Sequence, residues 1–177
     1  MTQHVNEKKK AIFLDRDGII NEDTEYPYKP EHIQFKDGIF AFCRSAAQKG
    51  YLLVVITNQA GIAKGIYTEQ DVQFLHKWMD NKFREQGIAI AGFYYCPYHK
   101  DGVIEKYRKD SELRKPKPGM VLQAIKDLNI DITQSKMIGD KESDRIALDG
   151  LQSIIVKSRY LQKNYDVVNL QDIESML

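Results

Sequence analysis

Cysteine is nearly absent: Cys43 and Cys96 are the only two among 177 residues, too few for a disulfide framework. No apolar run approaches the roughly 20 residues that a membrane span requires. The first apolar stretch, AIFL, is four residues long and runs straight into DRDG, so no signal-peptide pattern stands there. A surplus of charge is missing as well. Lys and Arg number 26 against 25 Asp and Glu, for a formal net charge of +1, which removes the electrostatic case for nucleic acid or a membrane surface as the main partner. Lys8-Lys9-Lys10 is the one like-charge run longer than a pair, and residues 1–9 read as a solvated, flexible tail. A cytoplasmic monomer acting on a small molecule is the expectation.

What remains is an ordinary soluble composition, 42% apolar and 29% charged, long enough for one core and read as one domain over 1–177. KAIFLD (10–15) and YLLVVIT (51–57) are continuous apolar runs, as strands buried on both faces would be. GFYYC (92–96), KMIGD (136–140) and SIIVK (153–157) are three more strands. Between them lie helical stripes. Asp37 is placed to cap a helix carrying Ile39, Phe40, Cys43, Ala46 and Ala47, with Gly50 at its end. Thr68-Glu69-Gln70-Asp71 has capping-box form before Val72, Leu75, Met79 and Phe83. Pro118 opens a helix with Val121, Leu122, Ile125 and Leu128 on one face. Strands alternating with helices predict an α/β fold with a mostly parallel sheet covered on both sides.

In such sheets ligands gather at the carboxyl ends of the strands. Those ends carry Asp15-Arg16-Asp17, Thr57-Asn58-Gln59, the loop leading to Arg114-Lys115, and Asp140-Lys141. Asp15 and Asp17, two apart, point the same way in extended backbone, and like charges that close call for a cation or proton. With Asp140 they make three oxygen donors and no soft ligand, which suits Mg²⁺ beside a substrate phosphate. Carboxylates, a hydroxyl and a lysine around Mg²⁺ are the parts of phosphoryl transfer, with one carboxylate attacking phosphorus and another moving protons.

FLDRDG, ITNQ, RKPKP and IGDKESD, in that order across nearly the whole chain, resemble the four motifs of the haloacid-dehalogenase superfamily of phosphatases. The resemblance implies a three-layer Rossmann-like core without a cap domain. It also implies Asp15 as nucleophile, Asp17 as acid/base, and Thr57 and Lys115 as phosphoryl-binding groups. Mg²⁺ would be held by the Asp15 carboxylate, the Asp17 carbonyl and Asp140. Segments such as FLDRDGIIN, TNQAGIAKG and YYCP resemble the branch acting on heptose bisphosphates of bacterial polysaccharide synthesis, with histidinol-phosphate phosphatases as near relatives. That branch places substrate contacts at Asp23-Thr24-Glu25-Tyr26. Many members carry zinc in the loop here numbered 97–114, at positions that read Cys96, Tyr98, Ser111 and Leu113. One of four ligands survives and His99 is one residue out of place, so no structural zinc is expected.

Arg114 offers planar, bidentate recognition of a second phosphate or sugar oxygen, and Lys141 is placed to hold phosphorylated substrate. Asn58, Gln59 and Ala60 lie in a turn whose amides can meet phosphate, and Arg16 joins the substrate-binding set. Asp144 is expected to support the metal site without binding the ion. His4, His32 and His76 show no partner pattern. A histidinol-phosphate phosphatase, another small-metabolite phosphatase and a silent phosphosugar-binding protein are the alternatives; a polynucleotide substrate is disfavoured by the missing basic stripe.

Overall fold

The computed structural model describes residues 7–177, and the structural statements here concern those residues. Its five strands are β1 (Ala11–Leu14), β2 (Leu52–Asn58), β3 (Gly92–Cys96), β4 (Lys136–Gly139) and β5 (Gln152–Ile155). All pair in parallel, in the order β3-β2-β1-β4-β5. β1 is central and buried at all four positions, which is why AIFL carries no polar residue.

The side chains of β1 alternate between two apolar layers. Ile12 and Leu14 pack with Ile39, Phe42 and Cys43 of α1 (Ile39–Gln48), Leu75, Met79 and Phe83 of α2 (Glu69–Glu85), and Ile173 of α4 (Gln171–Glu174). Ala11 and Phe13 face the other way, onto Met120, Val121 and Ala124 of α3 (Gly119–Leu128). Helices therefore cover both faces, giving the three-layer α/β architecture that the strand-helix alternation implies. Truncating a wholly buried anchor such as Phe83 would remove about 3–5 kcal/mol of stability. The connection from β3 to α3 carries only a 3-10 turn, Glu105–Tyr107, and among the described residues no second sheet stands over the strand ends as a cap.

The capping box on α2 forms: Asp71 N donates to Thr68 Oγ1 at 3.2 Å and Thr68 N donates to Asp71 Oδ2 at 2.8 Å. Asp37, by contrast, does not cap α1. Gly38 holds that position at φ 80° with no side-chain cap, a left-handed geometry that glycine adopts freely. On α3, Val121, Ile125 and Leu128 pack inward as expected, and Leu122 does not. Leu122 is 48% exposed, whereas Met120, Val121 and Ala124 are buried; the smaller Ala124 suits a helix resting close on the sheet. The tail expectation fails by Lys9, whose N–H donates to Asn129 O at 2.9 Å and whose carbonyl accepts from Asp131 N at 2.8 Å. Residues 1–6, His4 included, lie outside the described residues.

The chain runs outward from β1 through β2 to β3, then returns to β4 on the opposite side of β1. Loops leaving β1 and its neighbours diverge there, opening a crevice at the carboxyl ends of the strands.

Candidate active site

Asp15 leaves the end of β1 and is 5% exposed. Its Oδ1 accepts from Arg16 N at 2.8 Å and lies 2.8 Å from Lys115 Nζ. Lys115 also donates to Asp144 Oδ1. Asp144 Oδ2 accepts from the backbone N–H groups of Asp140 and Lys141, each at 3.0 Å, so both its oxygens are engaged in holding neighbours. Gly139 makes this packing possible, because a Cβ there would overlap the Asp144 side chain. Asn58 fixes the lysine from β2: its Oδ1 accepts from Lys115 N at 3.0 Å and its Nδ2 donates to Lys115 O at 3.2 Å.

Asp15, Asp140 and Asp144 each offer a carboxylate oxygen within 4.8 Å of the others. Burial, and then the Asp144 charge, push Asp15 up to about 6. Burial, and then the Asp15 charge, push Asp140 up to about 7. Burial opposes the charge on Lys115, but Asp144 and Asp15 outweigh it and hold its pKa above the usual lysine range. Asp140 Oδ1 is buried without a hydrogen-bond partner. An orphaned anionic oxygen among crowded carboxylates, with oxygen donors only, fits a hard divalent cation. Since Asp144 is already engaged, Asp15 and Asp140 are the carboxylates available to such an ion. The Asp17 carboxylate, expected to complete a triplet of acids, belongs to a separate arrangement.

Asp17 is held by Arg16, through Nε to Oδ1 and Nη2 to Oδ2, each at 3.0 Å. Asn21 Nδ2 donates to Oδ1 at 3.0 Å and Gln59 Nε2 to Oδ2 at 3.3 Å. Arg16 itself is wholly buried and also donates to Pro27 O at 2.8 Å and to His76 Nε2 at 3.3 Å. Burial, and then this guanidinium, hold His76 well below the usual histidine range. The expectation that Arg16 binds substrate is therefore corrected: its donors are spent behind the site. Gln59 is corrected likewise. It is 1% exposed, donates to Thr57 Oγ1 at 2.9 Å and accepts from Tyr67 OH at 2.7 Å. Thr57 thus accepts from Gln59 and retains its own proton for a ligand.

The crevice encloses about 430 Å³. Asp15, Asp17, Thr57 and Lys115 line it, with Asn58, Ala60 and Arg114 beside them. Asp23, Glu25, Tyr26 and Lys141 form another part of the wall. Thr24 is exposed and outside this lining. Tyr67, Ser143 and Tyr160 also line it, and none of the three was singled out from sequence as a site residue. Tyr160 follows the end of β5, so the strand-end rule that found the other four clusters would have reached it.

Loop 97–114 is fastened without a Cys/His tetrad. Tyr107 OH donates to Glu69 Oε2 at 2.6 Å and Tyr95 OH to Glu69 Oε1 at 3.0 Å. Val103 N and Ile104 N both donate to Ala63 O, at 2.8 and 3.0 Å. Ser111 Oγ accepts from Leu113 N at 3.2 Å, and His99 Nδ1 from Asp101 N at 3.1 Å. Arg114, at the loop's end, donates to Tyr98 O at 3.4 Å.

Residues 11–166 match the family described as polynucleotide kinase 3 phosphatase. The D-glycero-beta-D-manno-heptose-1,7-bisphosphate 7-phosphatase of Pasteurella multocida is 42% identical over 179 residues, 96% of this chain and 97% of the relative. The enzyme so named from Haemophilus influenzae is 49% identical over 76% of this chain and 73% of its own. A D-glycero-alpha-D-manno-heptose-1,7-bisphosphate 7-phosphatase of Burkholderia mallei is 47% identical over 77% and 72%. Among solved structures, a HAD-like phosphatase of Mesorhizobium loti superposes with a TM-score of 0.83 at 32% identity, covering 95% of this chain and 85% of that one. The D,D-heptose 1,7-bisphosphate phosphatase of B. bronchiseptica, complexed with magnesium and phosphate, shares the fold at a TM-score of 0.78 and 22% identity, over 94% and 97%. By its sequence, its parallel sheet and its relatives, this chain belongs to the polynucleotide kinase 3 phosphatase family of haloacid-dehalogenase phosphatases, as a relative of the heptose-1,7-bisphosphate 7-phosphatases.

Proposed function

We propose that this chain is a Mg²⁺-dependent phosphomonoesterase that removes the 7-phosphate of D-glycero-D-manno-heptose 1,7-bisphosphate, with Asp15 as its nucleophile. The observation that carries the reading is the 2.8 Å approach of Lys115 Nζ to Asp15 Oδ1, in a crevice that also presents Asp17, Thr57 and two further cations, Arg114 and Lys141. Relatives 42–49% identical carry the corresponding name.

An Asp15 carboxylate oxygen attacks phosphorus and the bond from phosphorus to the sugar oxygen breaks, leaving an acyl phosphate on Asp15. Lys115 and the Thr57 hydroxyl bind phosphoryl oxygens as charge develops on them. Asp17 donates its proton to the departing alkoxide and then takes one from the water that attacks the acyl phosphate. The net change is one ester and one water converted to the free alcohol and inorganic phosphate. Mg²⁺ would be held by the Asp15 and Asp140 carboxylates and the Asp17 carbonyl; when bound, it neutralises charge on nucleophile and phosphoryl group. Arg114 and Lys141 are the groups for the sugar's other anionic or hydroxyl groups.

The same proposal makes the protein a cytoplasmic monomer with no nucleic-acid or membrane partner and no structural zinc. The net charge of +1 supports the absence of a nucleic-acid or membrane partner, the unpaired Cys43 and Cys96 a reducing compartment, and the bond from Tyr107 to Glu69 a loop 97–114 held without zinc.

The test is phosphate release with Mg²⁺ from both anomers of heptose 1,7-bisphosphate, beside histidinol phosphate and a 3′-phosphorylated oligonucleotide. A preference of about 100-fold in kcat/KM for one heptose anomer, about 2.7 kcal/mol of transition-state discrimination, is the expected outcome. Comparable slow rates on every substrate would overturn the heptose assignment while leaving phosphatase chemistry in place.

A further inference from the structure

The segment after β5 brings Tyr160 to the crevice, with Arg159 next to it but outside the lining. Tyr160 lines it, and its OH donates to Asp23 Oδ2 at 2.9 Å. The same Asp23 oxygen accepts from Lys141 Nζ at 2.8 Å. Arg159 Nη2 donates to the Tyr160 OH at 2.6 Å and lies 3.8 Å from Asp23 Oδ1. The Tyr160 ring also meets both cations, with Lys141 Nζ 4.4 Å and the Arg159 guanidinium carbon 4.8 Å from its centroid. Loops leaving β1, β4 and β5 are thus tied together at one carboxylate and one aromatic ring.

Two features mark this cluster as more than a fastening. Among the described residues, Asp23 is the one carboxylate in ion-pair contact with Lys141 and Arg159. Asp15 and Asp140 act on Lys141, and Glu25 on Arg159, only as more distant charges. Exposure also rises outward, from 11% for the Asp23 side chain through 33% for Lys141 to 54% for Arg159. The inner carboxylate orders the cluster and leaves the outer guanidinium half exposed beside the crevice wall, and a guanidinium fork matches a phosphate in a bidentate way.

We propose that Arg159, with Lys141, grips the phosphate that the enzyme leaves in place, and that Tyr160 holds the two cations at the correct separation. The inference rests on the proposed bisphosphate substrate and assigns to the segment after β5 the recognition of its second anionic group. Arg159 is then a specificity-determining residue, and Tyr160 a positioning residue that also forms the crevice wall.

The experiment compares heptose 1,7-bisphosphate with p-nitrophenyl phosphate, which has no second phosphate, in the wild type and in Arg159→Ala, Arg159→Lys and Tyr160→Phe. The ratio of kcat/KM between the two substrates should fall about 10- to 100-fold in Arg159→Ala, mainly through KM for the bisphosphate, as expected for a lost charge-assisted hydrogen bond. Arg159→Lys should recover part of the ratio, and Tyr160→Phe should fall between. Both arginine variants alter an exposed side chain, and unchanged melting temperatures would show that they fold. A wild type that prefers the bisphosphate, with a ratio unchanged in Arg159→Ala, would overturn the grip alone and return the second phosphate to Arg114. An equal loss on both substrates would overturn it too. A wild type with no preference for the bisphosphate would remove the substrate reading, and the grip with it.

Discussion

Arg16 and Asp17, adjacent in sequence, face each other through a double hydrogen bond in which Nε meets Oδ1 and Nη2 meets Oδ2, each at 3.0 Å. The arginine is wholly buried while Asp17 lines the crevice. A guanidinium fork fixes the plane of a carboxylate as well as its position, so Arg16 aims the proposed acid/base from behind.

Arg16→Lys should therefore impair proton transfer more than binding. A lysine keeps the charge and loses the fork. The expected result is a fall in kcat of about 10- to 100-fold, part of the roughly 100- to 10,000-fold that general acid-base assistance supplies, with KM little changed. The loss should be larger for an alkyl phosphate, whose leaving alkoxide needs a proton, than for p-nitrophenyl phosphate. Steady-state kinetics on the two substrates check this; an equal loss on both would mean that Arg16 is merely structural.

Metal dependence should follow pH in a defined direction. Asp15 and Asp140 titrate at about 6 and about 7 in the folded chain, above the ordinary 3.8. As pH rises from 3.8 through these values, the folded chain holds protons that the unfolded chain has released, so this pair's contribution to metal-free stability falls. Mg²⁺ requires the ionised carboxylates. The rise in melting temperature on adding Mg²⁺ should thus be larger at pH 8 than at pH 5.5. Comparing samples with and without Mg²⁺ at each pH cancels the contribution of His76. An equal or larger rise at pH 5.5 would contradict the assignment of these carboxylates to the metal.

Loop 97–114 should depend on hydroxyls rather than zinc. Tyr107→Phe removes the 2.6 Å bond to Glu69 and should cost about 1 kcal/mol, as a partly exposed hydrogen bond does. A zinc-selective chelator should leave the melting temperature of the wild type unchanged. A large drop on chelation, reversed by Zn²⁺ alone, would show that metal holds the loop.

The strands and most of the crevice lining were legible because each follows a local rule. AIFL and YLLVVIT had to be buried on both faces, and their polar ends had to gather on one edge of a parallel sheet. Arg16 and Gln59 were misread because adjacency along the chain does not reveal which way a side chain turns. Arg16 turns inward to His76 and Pro27, contacts that lie 60 and 11 positions away in sequence. Asp144 was expected behind the metal site, but its grip on Lys115 spans 29 positions and required the fold. Asp37 lost the cap of α1 to Gly38, whose left-handed backbone leaves no signature beyond the residue type. Leu122 was placed on the inward face of α3 with Val121, Ile125 and Leu128, whereas it is exposed and the sheet takes the smaller Ala124.

The nucleophile is the central claim. Rapid acid quench during turnover of heptose 1,7-bisphosphate with Mg²⁺, followed by mass mapping of the chain, tests it most directly. The account predicts a phosphoryl group on Asp15, present in the wild type and lost together with turnover in a folded Asp15→Asn variant. Undiminished turnover by Asp15→Asn, or a phosphoryl group trapped on another residue, would contradict it.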